Sequence, residues 1–175
     1  MGIQFLAVDG TDAGQWCPDG RGEGTHITFE SKNEPKLDKL AANYLGPVSA
    51  SPQVIVDAML DFAQVSESDM VYDVGCNDGR VVITAAVRCG ARGFGVELDK
   101  RQADKAREGV IKANVQDKVE IVHGNAFDVN LQSATVVFLY LLPKGNRKLT
   151  QKLLDELRPG CRVVTYIFRT LAAST

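Results

Sequence analysis

Residues 71–80 read "VYDVGCNDGR", and their reading decides the fold. Four strand-forming residues run into Gly75, and Gly79 then precedes the helical segment "RVVITAAVRC", which Gly90 can close. A buried strand, a glycine-bearing turn and a helix is the arrangement that holds nucleotide cofactors at the carboxyl edge of an open α/β sheet. Its glycines let a ligand approach the main chain, and the start of the helix offers N–H donors with a partial positive charge.

Working outward, the same alternation continues. Upstream, "SPQVIVDAMLDFAQV" places Val56, Met59, Leu60 and Ala63 at helical spacing, with Ser51 as the expected cap and Pro52 at the first helical position. Downstream come a strand "GFGVEL", a charged helix "DKRQADKAREGVIKANV", and the strands "KVEIVHG" and "SATVVFLYLL". A helix "GNRKLTQKLLDELRPG" and a strand "CRVVTYIF" follow. Near-continuous apolar strands between amphipathic helices predict an α/β, doubly wound, mostly parallel sheet with helices on both faces. The first forty residues differ, being Gly-rich around two candidate strands, "IQFLAV" and "THITFE". The expected division is therefore an N-terminal extension at 1–40, read as a β-hairpin completing the sheet, and a cofactor-binding domain at 41–175.

Three successive strand ends carry ligand chemistry. The first ends at Asp73–Val74–Gly75 and the second at Glu97–Leu98, where a carboxylate can accept from both ribose hydroxyls. The third ends at Asn125–Ala126, whose side-chain amide and backbone N–H can meet an adenine edge. A dinucleotide fingerprint would need glycines at 75, 77 and 80, but Asn77 and Arg80 occupy two of these. The Gly–Lys–Ser/Thr ending of a Walker loop is absent. Asp73 would repel a pyrophosphate and attract an amino group. S-adenosylmethionine has an amino group and no phosphate.

"VYDVGCNDGRVVITAA" resembles the first motif of class I methyltransferases, with Asp73, Gly75 and Gly79 matching and Asn77 departing from a glycine. Asparagine tolerates positive φ better than other non-glycine residues, so it can serve the turn. Together, "YLGPVSASPQVIVDAML", "DVGCNDGRVVI", "GVELD" and "LYLLP" are similar to the small lysine N-methyltransferases that modify ATP synthase c subunit and the adenine nucleotide carrier. The resemblance implies a Rossmann-like, S-adenosyl-L-methionine-binding fold acting on a protein or peptide lysine. It assigns Tyr44, Ser51, Asp73, Gly75, Cys76, Asn77, Asp78, Gly79, Glu97, Leu98, Asn125 and Ala126 to the cofactor. Tyr140 is assigned to the amine channel. The family also carries a W-x-P-D segment, a G-E-G and a last strand after its fifth strand. Here Trp16–Asp19, Gly22–Gly24 and "THITFE" stand at the start, which implies a circular permutation with the terminal strands at the N-terminus.

The rest bounds the reading. With 45% hydrophobic residues in 175, one domain and a sizeable core are expected. A net charge of −2 gives no global attraction to nucleic acid, and Lys144, Arg147, Lys148 and Lys152 read as a solvated helix face. Four scattered cysteines without a CxxC pair, and only His26 and His123, give no metal site. They suit a reduced, cytoplasmic protein. Neither a signal peptide nor a membrane span is visible. The alternatives are a methyltransferase-fold binding module without catalysis and a small-molecule methyltransferase.

Overall fold

The computed structural model describes residues 3–7, 51–140 and 143–166, with the backbone alone at 3–7, 143–147 and 166. Tyr44, Trp16, His26 and the "THITFE" segment lie outside the described residues.

The elements run β1 (Ile3–Ala7), α1 (Gln53–Phe62), β2 (Met70–Val74), α2 (Arg80–Cys89), β3 (Arg92–Glu97), α3 (Lys100–Lys112), β4 (Val119–His123), β5 (Val136–Leu139), α4 (Pro143–Glu156) and β6 (Arg162–Tyr166). They form one six-stranded sheet in the order β1-β6-β5-β2-β3-β4. The five strands from β2 to β6 are mutually parallel, as their continuous apolar character requires. β1 adds to the β6 edge antiparallel, with Ile3 opposite Tyr166.

Each face of the sheet has its own core. Val56, Met59 and Leu60 of α1, Val82 and Ala85 of α2, and Ala103 and Ala106 of α3 pack with Val71, Phe138 and Val164 on one face. Leu149 and Leu153 of α4 pack with Tyr72, Val74, Val137 and Leu139 on the other. The order reverses at β2, whose neighbours β3 and β5 carry the chain in opposite directions across the sheet. Ligands bind outside the carboxyl ends of strands at such a switch point.

Local chemistry fixes most boundaries. Gly90 closes α2 with φ 71°, and Asp99 caps α3 by accepting from the Arg101 and Gln102 N–H groups. One expectation is corrected. The Ser51 hydroxyl does not cap α1, which begins at Gln53 with Pro52 as its N-cap. The Pro52 carbonyl accepts from the Ile55 and Val56 N–H groups, and the Ser51 carbonyl is drawn instead toward Arg80. The last helix also starts earlier than its sequence suggests, at Pro143, a residue favoured in the first turn.

At the amino ends of the strands a buried network holds the sheet. Asp69, 6% exposed, pairs with Arg162 and accepts from the Thr135 hydroxyl at 2.6 Å and the Ser66 N–H at 2.8 Å. Burial alone would raise its carboxyl, but these hydrogen bonds and the Arg162 charge hold it below the usual carboxylate range.

Candidate functional site

The turn between β2 and α2 uses three left-handed residues in alternation. Gly75 has φ 84°, Asn77 φ 50° and Gly79 φ 76°. Asn77 therefore does the work of a turn glycine, as its known tolerance of that region suggests. Gly79 is further required by contact, since a Cβ there would lie 3.0 Å from the Ala106 Cβ of α3.

The loop is latched to β3. The Gly75 and Cys76 N–H groups both donate to the Val96 carbonyl, at 2.9 and 3.0 Å. The Asn77 N–H donates to Glu97 Oε2 at 2.8 Å, and the Gly79 N–H to the Cys76 carbonyl at 2.8 Å. The amides of Gly75, Cys76 and Asn77 are thus taken by β3 and that of Gly79 by the loop itself, which leaves the donors at the start of α2 as the ones that can face a ligand. With four loop amides engaged and two carboxylates beside them, the turn is poorly suited to wrap a pyrophosphate, which needs several converging N–H donors. The same loop suits a ligand that presents a cation.

A cation paired with Asp73 is what the site lacks among the described residues. Asp73, at the end of β2, is 5% exposed, and its carboxyl has no hydrogen-bond donor among the described residues. Burial, with added repulsion from Glu97 and Asp78, pushes it up to about 7. Asp73 lines a cleft of about 330 Å³, counting its open mouth, together with Ser51, Gly75, Asn77, Asp78 and Tyr140. Asp78 turns to Arg80. Oδ1 accepts from Arg80 Nε at 2.9 Å and Oδ2 from Nη2 at 2.6 Å, while Nη1 donates to the Ser51 carbonyl at 2.8 Å. The pair holds the Asp78 carboxyl below its ordinary range.

Cys76 is 3% exposed and points under β3, where a Cβ on Gly95 would lie 2.7 Å from its Sγ. Burial, chiefly, pushes its thiol far up, so it is a packing residue and not a nucleophile. Glu97 is shared. Oε2 takes the Asn77 N–H and Oε1 the Asp99 N–H at 2.9 Å, leaving further lone pairs on each oxygen for a ligand hydroxyl. Leu98, beside it, is 48% exposed and offers an apolar surface. Beyond β4, Gly124 donates to the Glu97 carbonyl, which brings Asn125 and Ala126 near the β3 end. Asn125 Oδ1 accepts from the Phe127 N–H at 3.0 Å in an Asx turn, so only its amide NH₂ is left to reach outward. The Ala126 N–H has no partner among the described residues.

Tyr140 follows the last residue of β5, packs against the core on the α1–α3 face, and lines the cleft. His123 ends β4 in register with Glu97, away from the cleft lining. Among the described residues no three His, Cys, Asp or Glu side chains converge as metal ligands. The residue that the sequence reading passed over is Arg80. It counted there only as a failed glycine, although an Arg two positions after an Asp at a helix start is a visible ion-pair signal.

The donor set fits S-adenosylmethionine: a buried carboxylate, without a donor among the described residues, could take an amino group, and the carboxylate at the end of β3 could take ribose hydroxyls. Comparison with known proteins agrees. Residues 73–172 match the family described as the ANTKMT methyltransferase domain. The chain is 42% identical to a protein-lysine N-methyltransferase from Saccharolobus islandicus, over 70% of this chain and 76% of that protein. It is 45% identical to an RNA methyltransferase from Salinibacter ruber crystallised with S-adenosyl-L-homocysteine, with a TM-score of 0.69 over 70% of this chain and 80% of that one. A methyltransferase from Geobacter sulfurreducens, also with S-adenosyl-L-homocysteine, shares the fold at TM-score 0.58 and 22% identity, over 66% of this chain and 48% of that one. The chain belongs to the ANTKMT methyltransferase domain family and is an S-adenosylmethionine-dependent methyltransferase.

Proposed function

We propose that this methyltransferase acts on lysine side chains of a protein substrate, in the cytoplasm. The observation that carries the reading is the likeness to the Saccharolobus islandicus protein-lysine N-methyltransferase over most of both chains. The cleft is compatible with it: Tyr140 stands at the β5 end, and no histidine is among the described residues that line the cleft. An amine acceptor needs no dedicated base, because desolvation beside a positive centre favours its neutral, nucleophilic form.

When bound, S-adenosylmethionine supplies a methyl group activated by a sulfonium. In this reading Asp73 takes the amino group, Glu97 the ribose hydroxyls, and Leu98 covers an adenine that the Asn125 amide and Ala126 N–H address. Gly75, Cys76, Asn77, Asp78 and Gly79 shape the loop beneath, Ser51 lines the cleft ahead of α1, and Tyr44 is assigned to the cofactor as well. Tyr140 excludes water with its ring and accepts an amine N–H at its phenolic oxygen. Alignment and a dry site are the protein's share of such a displacement.

The domain boundaries belong to the same proposal. Residues 41–175 form the cofactor-binding domain, and 1–40 complete its sheet from the front of the chain as permuted terminal strands. The antiparallel pairing of β1 with β6 supports an N-terminal strand in the sheet, the strand on that edge being Ile3–Ala7 and not "THITFE". Among the described residues no helix is long and apolar enough to cross a membrane.

The likeness to a solved RNA methyltransferase keeps a second acceptor in view. Purified protein is given S-adenosylmethionine carrying a radioactive methyl group and a cell extract, then the product is treated with protease or ribonuclease. Label lost to protease and recovered as methyllysine supports the reading. Label lost to ribonuclease replaces it with RNA methylation, and label only in small molecules replaces both. Absence of transfer, with no S-adenosyl-L-homocysteine bound in calorimetry and no change on Glu97→Ala, would indicate a binding module.

A further inference from the structure

We propose that Asp78 and the Ser51 carbonyl sequester the Arg80 guanidinium, keeping it from neutralising Asp73 and so reserving that carboxylate for a ligand's amino group. The inference rests on the role given to Asp73 above.

The geometry is unusual in one respect. Arg80 and Asp73 line the same cleft, and Asp73 is a buried carboxylate without a donor among the described residues. A guanidinium is the natural partner for such a group. Yet Arg80 is committed elsewhere through three donors: Nε and Nη2 to Asp78 in a bidentate fork, and Nη1 to the Ser51 carbonyl. The fork is helped by its place, because Asp78 stands at the start of α2 and also accepts from the Arg80 N–H at 3.4 Å. The Ser51 bond draws the third nitrogen toward the segment that leads into α1.

The charges facing Asp73 from each surrounding element are few. β3 contributes Glu97, the loop contributes Asp78 and the Cys76 thiol, α2 contributes Arg80, and the end of β5 contributes Tyr140. Lining residues Ser51 and Met59, before and within α1, bring no charge. Arg80 is therefore the one cation lining the cleft among the described residues. Whether it is held decides whether the cleft selects a cationic ligand or fills its own need. Asp78 is on this account a specificity-determining residue that acts through Arg80, without touching the ligand.

The test is calorimetric titration with S-adenosyl-L-homocysteine, which keeps the amino group and cannot react, between pH 6 and 8. In the unaltered chain Asp73 must ionise to bind, so affinity is about tenfold weaker at pH 6 than at pH 8. Asp78→Asn releases Arg80 to Asp73; binding weakens at least about tenfold at pH 8 and loses its pH dependence. Adding Arg80→Gln to Asp78→Asn removes the competitor, and both affinity and pH dependence return. A double variant that binds no better than Asp78→Asn overturns the proposal. A comparison that leaves Asp78 intact serves if Asp78→Asn does not fold. Lysine cannot fill a bidentate fork, so Arg80→Lys should bind more weakly than the neutral Arg80→Gln. The reverse order would mean that Arg80 itself contacts the ligand, and the proposal falls. Asp73→Asn separates the two claims: if it binds as tightly as the unaltered chain, the role of Asp73 is wrong and not merely that of Asp78.

Discussion

Replacing Asp73 by asparagine should make the ligand-free protein more stable while weakening its grip on the cofactor. Asp73 is buried, has no donor among the described residues, and is pushed up from 3.8 to about 7 by burial and by the neighbouring Glu97 and Asp78. Below pH 3.8 the carboxyl is protonated in folded and unfolded chains alike and contributes nothing to pH dependence. Between 3.8 and about 7 the folded chain keeps a proton that the unfolded chain has lost, so stability falls as pH rises. Above about 7 both forms are ionised and the full penalty, at most about 4 kcal/mol, is present. Asparagine keeps the shape and cannot ionise, though its amide gives back about 1–3 kcal/mol if its own hydrogen bonds go unmade. Urea unfolding of both proteins at pH 5, 6, 7 and 8 measures the difference directly. The gap between variant and parent should widen in favour of the variant from pH 5 to 7 and then level off. A gap that does not change with pH would refute the argument, because it would mean that Asp73 is as well solvated folded as unfolded.

Other substitutions probe other parts of the molecule. Gly95→Ala puts a methyl group 2.7 Å from Cys76 Sγ and 2.8 Å from Ile121 Cδ1; a loss of about 1–3 kcal/mol is expected, with a fall in cofactor affinity in calorimetry because the cofactor loop must shift. Asp69→Asn leaves Arg162 without its buried partner and should cost about 3 kcal/mol in urea unfolding, with the cofactor Kd unchanged since the pair lies at the opposite ends of the strands. Tyr140→Phe should lower kcat at least about tenfold in a methyl-transfer assay while the Kd for S-adenosyl-L-homocysteine stays within about twofold.

The parts of this site that could be read from sequence are those whose chemistry is local. A strand that ends in an acid and a glycine, a carboxylate at the next strand end, and an asparagine that can take positive φ each announce themselves within a few residues. Asp99 as the α3 cap was visible in the same way. What could not be read depended on partners distant in sequence. The loop amides looked available until β3 supplied the Val96 carbonyl and the Glu97 carboxylate to receive them. Ser51 looked like a cap because nothing nearby shows that its carbonyl meets a guanidinium 29 residues on. The Asn125 amide looked free to face a ligand with either end until an Asx turn engaged its oxygen. Arg80 was misjudged for a related reason, since a pattern that asks only for glycine assigns no meaning to the residue that replaces it.

The edge strand carries a consequence for how the chain reaches this state. β1 joins residue 3 to residue 166, so during synthesis β1 waits for β6. Until β6 has emerged, β1 has no sheet edge to add to, and the parallel strands β2, β3 and β4 can assemble without it. Closing so long a loop late in folding adds an entropic cost that grows only slowly with length, but it delays the step. A chain cut short before residue 162 would lack β6, the partner of β1, and would expose β5 as an unprotected edge. The pairing of β1 with β6 is thus also a check that the chain between them has been made.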